Sequence, residues 1–314
     1  MTAVSRVAGD AGARPPPRSR QRWRTLRWSW LDGLLLALLA GAVALVLWRT
    51  DAVFKYRWDW SSVWPFVFRW DATLGRWTSN LLVDGLLTTL RLAVWGILIA
   101  SLIGVVMGLA RSSRHRVWRL LALSYVMLVR NIPPIVFVFV FVFFIAAQVM
   151  PALALGARVQ TLSPALQALL SAAFGPAKLL DNFVLGLICL SVFSGAYVTE
   201  IVRAGLQSVP RAQIEASHSL GFSPLDTLRF VVLPQALRNV LPPLAGQFIQ
   251  LIKDSSLVSL VSIQELSFAA QDVQVTTQRV FEVIVFVAAI YFLICFSLSR
   301  LFAWMERRAG RATR

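Results

Sequence analysis

The stretch Leu81–Ala110 runs for thirty residues and carries only two charges, Asp84 and Arg91. At about 1.5 Å of rise per residue, a helix over it exceeds the ~30 Å hydrocarbon core of a bilayer. Gly96, Ala100, Gly104 and Gly108 recur at every fourth position within it, a stripe that lets a second helix approach closely. Similar apolar runs occupy Leu31–Trp48, Pro134 to about Met150, Asn182–Gly205, Gln235–Val261 and Val280–Trp304. With 57% hydrophobic and 15% charged residues, the chain lies outside the soluble globular range. The expected class is an all-α integral membrane protein with about six transmembrane helices.

The charges sit between these runs, and their distribution predicts an orientation. Segments 1–30, 111–130 and 300–314 hold seventeen basic residues and two acids, Asp10 and Glu306. The connections 49–80, 151–181 and 263–279 hold eight basic residues and six acids. Basic flanks stay cytoplasmic, so both termini are expected inside the cell. A net charge of +16 could serve nucleic acid, but the arginines flank apolar runs instead of lining one face, which excludes that partner. Cys189 and Cys295 fall inside apolar runs, and His115 and His218 are isolated; neither a disulfide framework nor a metal or cofactor site is expected.

The domain plan follows. Residues 1–30, with seven arginines and Pro15–Pro17, read as a basic cytoplasmic tail. Ala42-Val43-Ala44 offers a small-x-small cleavage site, but the apolar run continues through Leu47 and Trp48, so an uncleaved helix is expected. Residues 31–80 are read as an additional N-terminal transmembrane helix and an outer loop rich in tryptophan, a residue favoured at the membrane–water interface. Residues 81–304 form the membrane core and 305–314 a second basic tail. Val117–Val129 is expected as an amphipathic piece along the inner surface, and Ala152–Leu180 as an outer loop with a short helix.

The longest polar segment that still looks ordered is Pro210–Pro234, PRAQIEASHSLGFSPLDTLRFVVLP. It reads as two short helices joined at a turn. Pro210 suits a first helical position, and Gly221 suits a left-handed helix end. Ser223, Pro224 and Asp226 restart a helix with a hydroxyl cap and an early carboxylate. Val231–Leu233 are expected to close it before Pro234. By spacing alone, an ordinary amphipathic hairpin lying on a membrane or on its own core fits as well.

Lys253-Asp254-Ser255-Ser256 lies well inside an apolar run. A charge at membrane depth costs at least about 2.5–3.5 kcal/mol and is tolerated beside a partner, a cavity or water. These four residues are the candidate substrate path; a self-neutralised pair marking a helix break is the other reading. No nucleophile–base pair, paired carboxylates or phosphate-binding glycine loop occurs, so the chain is not expected to be an enzyme.

Glu215-Ala216-Ser217, Gly221, then Val231-x-Leu233-Pro234 together resemble the EAA coupling loop of ABC-importer permeases. AYVTEIVRAGLQSVPRAQIEA before it and LPQALRNVLPPLAGQFIQLIKDSSLVSLVSIQEL after it are similar to the polar amino acid subfamily, of the histidine, glutamine and glutamate type. The resemblance covers about Leu81–Leu301, with Ala212 where that subfamily usually has glycine. It implies a type I ABC importer permease fold, with five core helices plus one, in a bacterial inner membrane. It also implies coupling through residues 209–235 to an ATPase subunit, the contacts falling on Glu215, Ala216, Ser217, Gly221, Leu233 and Pro234. Glu215 would cap or brace the docking helix. A second permease chain, the same or related, and a periplasmic amino-acid-binding protein would complete the assembly, with ATP-driven alternating access importing a polar amino acid. The alternative is an ion-coupled secondary transporter using Lys253 and Asp254, although no second half of an internal repeat is found.

Overall fold

The computed structural model describes residues 29–52, 56–73 and 75–311. The tail expected at 1–30 lies outside these residues except for its last two positions, as do the last three residues of the chain. Two compact units result, residues 1–58 and 59–314. In the first, a helix α1 covers Trp30–Ala52.

In the second unit, a β-hairpin of β1 (Phe68–Asp71) and β2 (Arg76–Ser79) interrupts the aromatic loop, with Trp70 opposite Trp77. The alternation of aromatic and polar residues supplies the period of two that a strand pair needs. Next come α2 (Leu81–Ser112) and α3 (Arg116–Asn131). α4 (Pro134–Val140) passes through a π-helical turn, Phe141–Ala146, into α5 (Ala147–Leu153). Helix was expected to stop near Met150, but it runs three residues further, with Pro151 inside α5.

The region expected as an outer loop is more helical than its prolines suggest, with α6 (Leu155–Gln160) and α7 (Pro164–Phe174). Tertiary contacts order it. Asp181 accepts the amides of Leu155 and Gly156 at 2.7 and 3.1 Å, satisfying the start of α6. Trp95 donates to the Ala173 carbonyl and its ring stacks on Phe174. The chain continues with α8 (Leu180–Gln207), α9 (Arg211–Ser219), α10 (Pro224–Asp226), a π-helical turn at Thr227–Val232 and α11 (Leu233–Asp254). A 3-10 segment, Ser255–Val261, leads to α12 (Leu266–Thr277) and α13 (Val280–Arg311).

Among the described residues, four stretches are long and apolar enough to cross a membrane: Leu81–Ser112, Pro134–Gln160, Ala177–Gln207 and Val280–Arg308; Trp30–Val46, in α1, is apolar but shorter. α11 has sufficient length, but Arg238, Lys253, Asp254 and three glutamines dilute its apolar character.

α2 and α8 form the centre. A Cβ placed on Gly104 would lie 2.4 Å from Val198 Cγ1, and one on Gly108 2.8 Å from Val202 Cγ1. The two backbones therefore touch through the glycine stripe, the close approach that small residues permit. α3 buries Ala122, Val126 and Val129 against this pair. Its outer face mixes exposed Arg116, Arg119 and Arg130 with exposed Val117, Trp118, Leu121 and Leu128. α3 is amphipathic, as expected, although several of its exposed residues are large and apolar.

Candidate functional site

α8 ends at a cluster of charge. Glu200 pairs with Arg111 of α2 and accepts from Arg203 Nε and Nη2 at 2.9 and 2.8 Å. The Glu200–Arg203 spacing of three residues places both on one helix face. This fixes the end of α8, and the Pro210–Pro234 stretch begins just beyond it.

Pro210 is extended and precedes α9 instead of occupying its first turn. α9 closes through Phe222 N–H to the Ser217 carbonyl at 3.1 Å, with Gly221 at φ +86°. That six-residue closure with a left-handed glycine is the expected helix stop. Ser223 then caps α10: its hydroxyl accepts from the Asp226 amide at 3.2 Å and donates to the Asp226 carboxylate at 2.6 Å. The predicted restart at Ser223-Pro224-Asp226 is therefore the observed one.

The predicted stop at Leu233 is not found. Helix continues through Pro234 into α11. Proline lacks an amide hydrogen and its ring collides with the carbonyl four residues earlier. The wider π turn immediately before it relieves that collision. Gln235 then donates its side-chain amide to the Val231 carbonyl at 2.8 Å and to Gln213 Oε1 at 2.6 Å, tying α9 to the start of α11.

Of the six residues singled out for coupling, Ser217 alone is buried, and it is internal glue. Its hydroxyl donates to the Ile214 carbonyl at 2.7 Å and lies 2.9 Å from Thr227 Oγ1, also buried. Glu215, Ala216, Gly221, Leu233 and Pro234 are exposed. Glu215 has no hydrogen bond or ion pair from its side chain among the described residues, so it presents its charge outward and braces nothing within the chain. At the tip of the hairpin, Leu220 is 78% and Leu225 76% exposed, with Phe222 between them also exposed. Three large apolar side chains on a capped, rigid turn form an outward-facing contact surface. Thr227, Gln213 and Gln235 were not anticipated; their positions one turn from a proline or across the Gly221 bend are the only sequence signal.

Lys253, Asp254, Ser255 and Ser256 mark the passage from α11 to the 3-10 segment. Lys253 and Asp254 form no ion pair among the described residues. Adjacent helical residues point about 100° apart and do not face each other. Asp254 accepts instead from Gln250 Nε2 at 2.8 Å. Ser255 and Ser256 donate to the carbonyls of Ile252 and Lys253 at 2.8 and 2.7 Å. Their protons are committed to the helix end, leaving lone pairs as acceptors. Along α11, Asn239 donates to Ser208 Oγ at 2.6 Å, Gln247 reaches Ser194 Oγ at 3.5 Å, and Gln250 follows one turn before Asp254. These side chains extend the candidate path as a polar stripe on one helix. Among the described residues, no three His, Cys, Asp or Glu side chains gather into a metal-holding group.

A further polar cluster lies beyond the 3-10 segment. Glu265, with no exposed surface, accepts from Phe268 N–H at 2.9 Å, Thr89 Oγ1 at 3.1 Å and Tyr291 Oη at 2.7 Å. It thereby caps α12 and binds it to α2 and α13. Burial pushes the Glu265 carboxyl above the usual range, against these hydrogen bonds, which pull it down.

A glycine-packed helix pair, followed by a capped hairpin with an apolar tip, is built here on the fold of a type I importer permease. The chain belongs to the family of binding-protein-dependent transport system inner membrane components, whose model matches residues 96–311. It is 31% identical over 233 residues to the probable glutamine ABC transporter permease protein GlnM of Bacillus subtilis (strain 168), covering 74% of this chain and 95% of that one. To the glutamine transport system permease protein GlnP of Escherichia coli (strain K12) it is 30% identical over 250 residues, 80% of this chain and 97% of that one. Its fold is similar to the crystal structure of an amino acid ABC transporter with histidines: 32% identity, TM-score 0.59, covering 73% of this chain and 94% of that one. The matched region contains every residue of the hairpin and of the Lys253–Ser256 segment.

Proposed function

We propose that the chain is the permease subunit of an ABC importer that moves a polar amino acid into the cell. The amino acid arrives on a periplasmic binding protein, and ATP binding and hydrolysis on a separate ATPase subunit drive alternating access. Two permease chains, identical or related, complete the path across a bacterial inner membrane. In this reading residues 31–80 add a helix and an outer loop to a core at 81–304, six spans in all. Both termini and the 209–235 hairpin are cytoplasmic.

The observation that carries the reading is the apolar tip of the hairpin. Leu220, Phe222 and Leu225 are held outward by the Gly221 turn and the Ser223 cap, with Glu215 exposed on α9. The apolar tip suits docking into a groove on a partner, with the charge of Glu215 at its polar rim. Kinship with glutamine permeases supports the substrate class. A zwitterion needs both signs of charge or their dipole equivalents along its route, and Lys253, Asp254 and the acceptor oxygen of Ser256 offer them, while the fully buried Ser255 supports the helix end behind them.

Orientation and docking are tested together. Reporters placed near His218 or after Arg314 are expected in the cytoplasm, and reporters near Ala168 or Asp272 outside it. A cysteine at Leu220 or Leu225 is expected to cross-link to the ATPase subunit. A His218 site reachable from outside the cell refutes the coupling assignment.

A further inference from the structure

α2, α11 and α13 enclose an apolar groove of about 680 Å³, within the range of small-molecule sites, roughly 300–1,000 Å³. Its lining is hydrocarbon except at two positions, Arg238 on α11 and Glu306 on α13. Phe248 and Phe302, in edge-to-face contact at 6.0 Å, also line it. Neither Arg238 nor Glu306 forms an ion pair among the described residues, and both are exposed.

We infer that this groove holds one phospholipid with a primary-amine headgroup. One acyl chain lies along Leu241, Ala245 and Phe248, the phosphate rests on Arg238, and the ammonium on Glu306.

Three observations select this occupant. From Arg238 to Phe248 the helix rises about 15 Å, half of a ~30 Å hydrocarbon core, so the groove is as deep as a single leaflet. The polar stripe of α11, through Asn239, Gln247 and Gln250, engages α8 or Asp254 and leaves the groove-lining face wholly apolar up to Arg238. Its two charges have opposite sign, matching a phosphate and an ammonium in one headgroup, each able to form a charge-assisted hydrogen bond. A purely anionic headgroup would meet the repulsion of Glu306. The leaflet assigned, the cytoplasmic one, rests on the orientation proposed above, because Arg238 follows the hairpin by four residues; lipid binding itself does not.

The test uses the full chain in vesicles of mixed phosphatidylethanolamine, phosphatidylcholine and phosphatidylglycerol. A phosphatidylethanolamine carrying a photoactivatable acyl chain is expected to label peptides containing 241–248 and 302–306. Unlabelled phosphatidylethanolamine should compete about tenfold better than either other lipid, a difference of about 1.4 kcal/mol. Ala245→Trp should reduce labelling at least about fivefold by filling the groove, and Glu306→Gln should abolish the preference for the amine headgroup. Labelling spread over all lipid-facing peptides without headgroup preference overturns the inference, and the wild type alone decides that. Disulfide capture between two chains each bearing a cysteine at Leu241, with no lipid label there, would show that a second copy covers the groove. A His218 reporter outside the cell would change the leaflet and the coupling assignment but leave the labelling intact, so the two failures are distinguishable.

Discussion

Ser217 and Thr227 meet hydroxyl to hydroxyl at 2.9 Å across the Gly221 turn, and both are almost fully enclosed. The contact fastens α9 to the π turn, so the two arms of the hairpin hold one angle. Ser217→Ala leaves the Thr227 hydroxyl buried without that partner, which costs about 1–3 kcal/mol. Replacing both, Ser217→Ala with Thr227→Val, removes the need for a partner. The single variant is expected to lower binding-protein-stimulated ATP hydrolysis more than the double. A double variant as impaired as the single, in ATPase assays on proteoliposomes, would show that the hydroxyls act separately.

Gly221 adopts φ +86° and has nothing within 4 Å of a built Cβ. Its substitution therefore tests backbone strain alone, about 1–2 kcal/mol for an ordinary residue. Assembled with the ATPase subunit proposed above, Gly221→Asp should reach the membrane at normal levels yet leave the ATPase hydrolysing ATP without matching uptake. Gly221→Asn should be milder, because asparagine enters the left-handed region as aspartate does but adds no charge. Equal uptake in wild type and the aspartate variant would remove the turn from the coupling mechanism.

Gly205 lies where a Cβ would come within 2.2 Å of Val240 Cγ2. Gly205→Ala is expected to lower membrane accumulation severalfold, in line with an overpacking penalty of about 1–3 kcal/mol. Adding Val240→Ala should restore it. Quantitative immunoblotting of both strains decides; no rescue would mean that the alanine disturbs α8 itself.

Gln250 is the only side chain seen to hold Asp254 among the described residues. If the substrate path runs here, Gln250→Leu should reduce uptake about as much as Asp254→Asn, at matched expression. Lys253→Met should act by itself, since no ion pair links it to Asp254. Wild-type uptake in all three variants would place the path elsewhere.

Glu265 gives a pH dependence of definite sign. Its carboxyl is raised in the folded protein by burial, so the fold favours the protonated form more than the unfolded chain does. Its contribution is full below the ordinary carboxylate range and is lost as pH rises through the raised value. The melting temperature of purified protein should fall over that interval, and Glu265→Gln should flatten the fall. A melting curve that rises over the same interval in wild type and variant alike contradicts this.

Much of this arrangement was legible in the residues. The apolar runs gave the helices because length and composition suffice for that. Gly221 and the Ser223-Pro224-Asp226 cap were readable because each acts within four residues. Pro234 does not end the helix as its local pattern predicts, since its usual effect is overridden by a π turn that no local pattern announces. The Lys253–Asp254 pairing failed for a geometric reason, as neighbours on a helix diverge. Glu265 escaped notice because its partners, Thr89 and Tyr291, lie far away in sequence, and only the folded chain brings them together.

The glycine seam between α2 and α8 also bears on the order in which the molecule is made. Gly104 and Gly108 are synthesised some ninety residues before Val198 and Val202, the side chains that cover them. While α3 to α7 are being threaded, α2 sits in the membrane with its grooved face open. The seam closes only after α8 has emerged from the ribosome. Nascent chains halted before α8 has emerged should then expose that face to whatever insertion factor or stray helix is nearby, whereas chains halted well beyond α8, once it has left the ribosome, should have sealed it.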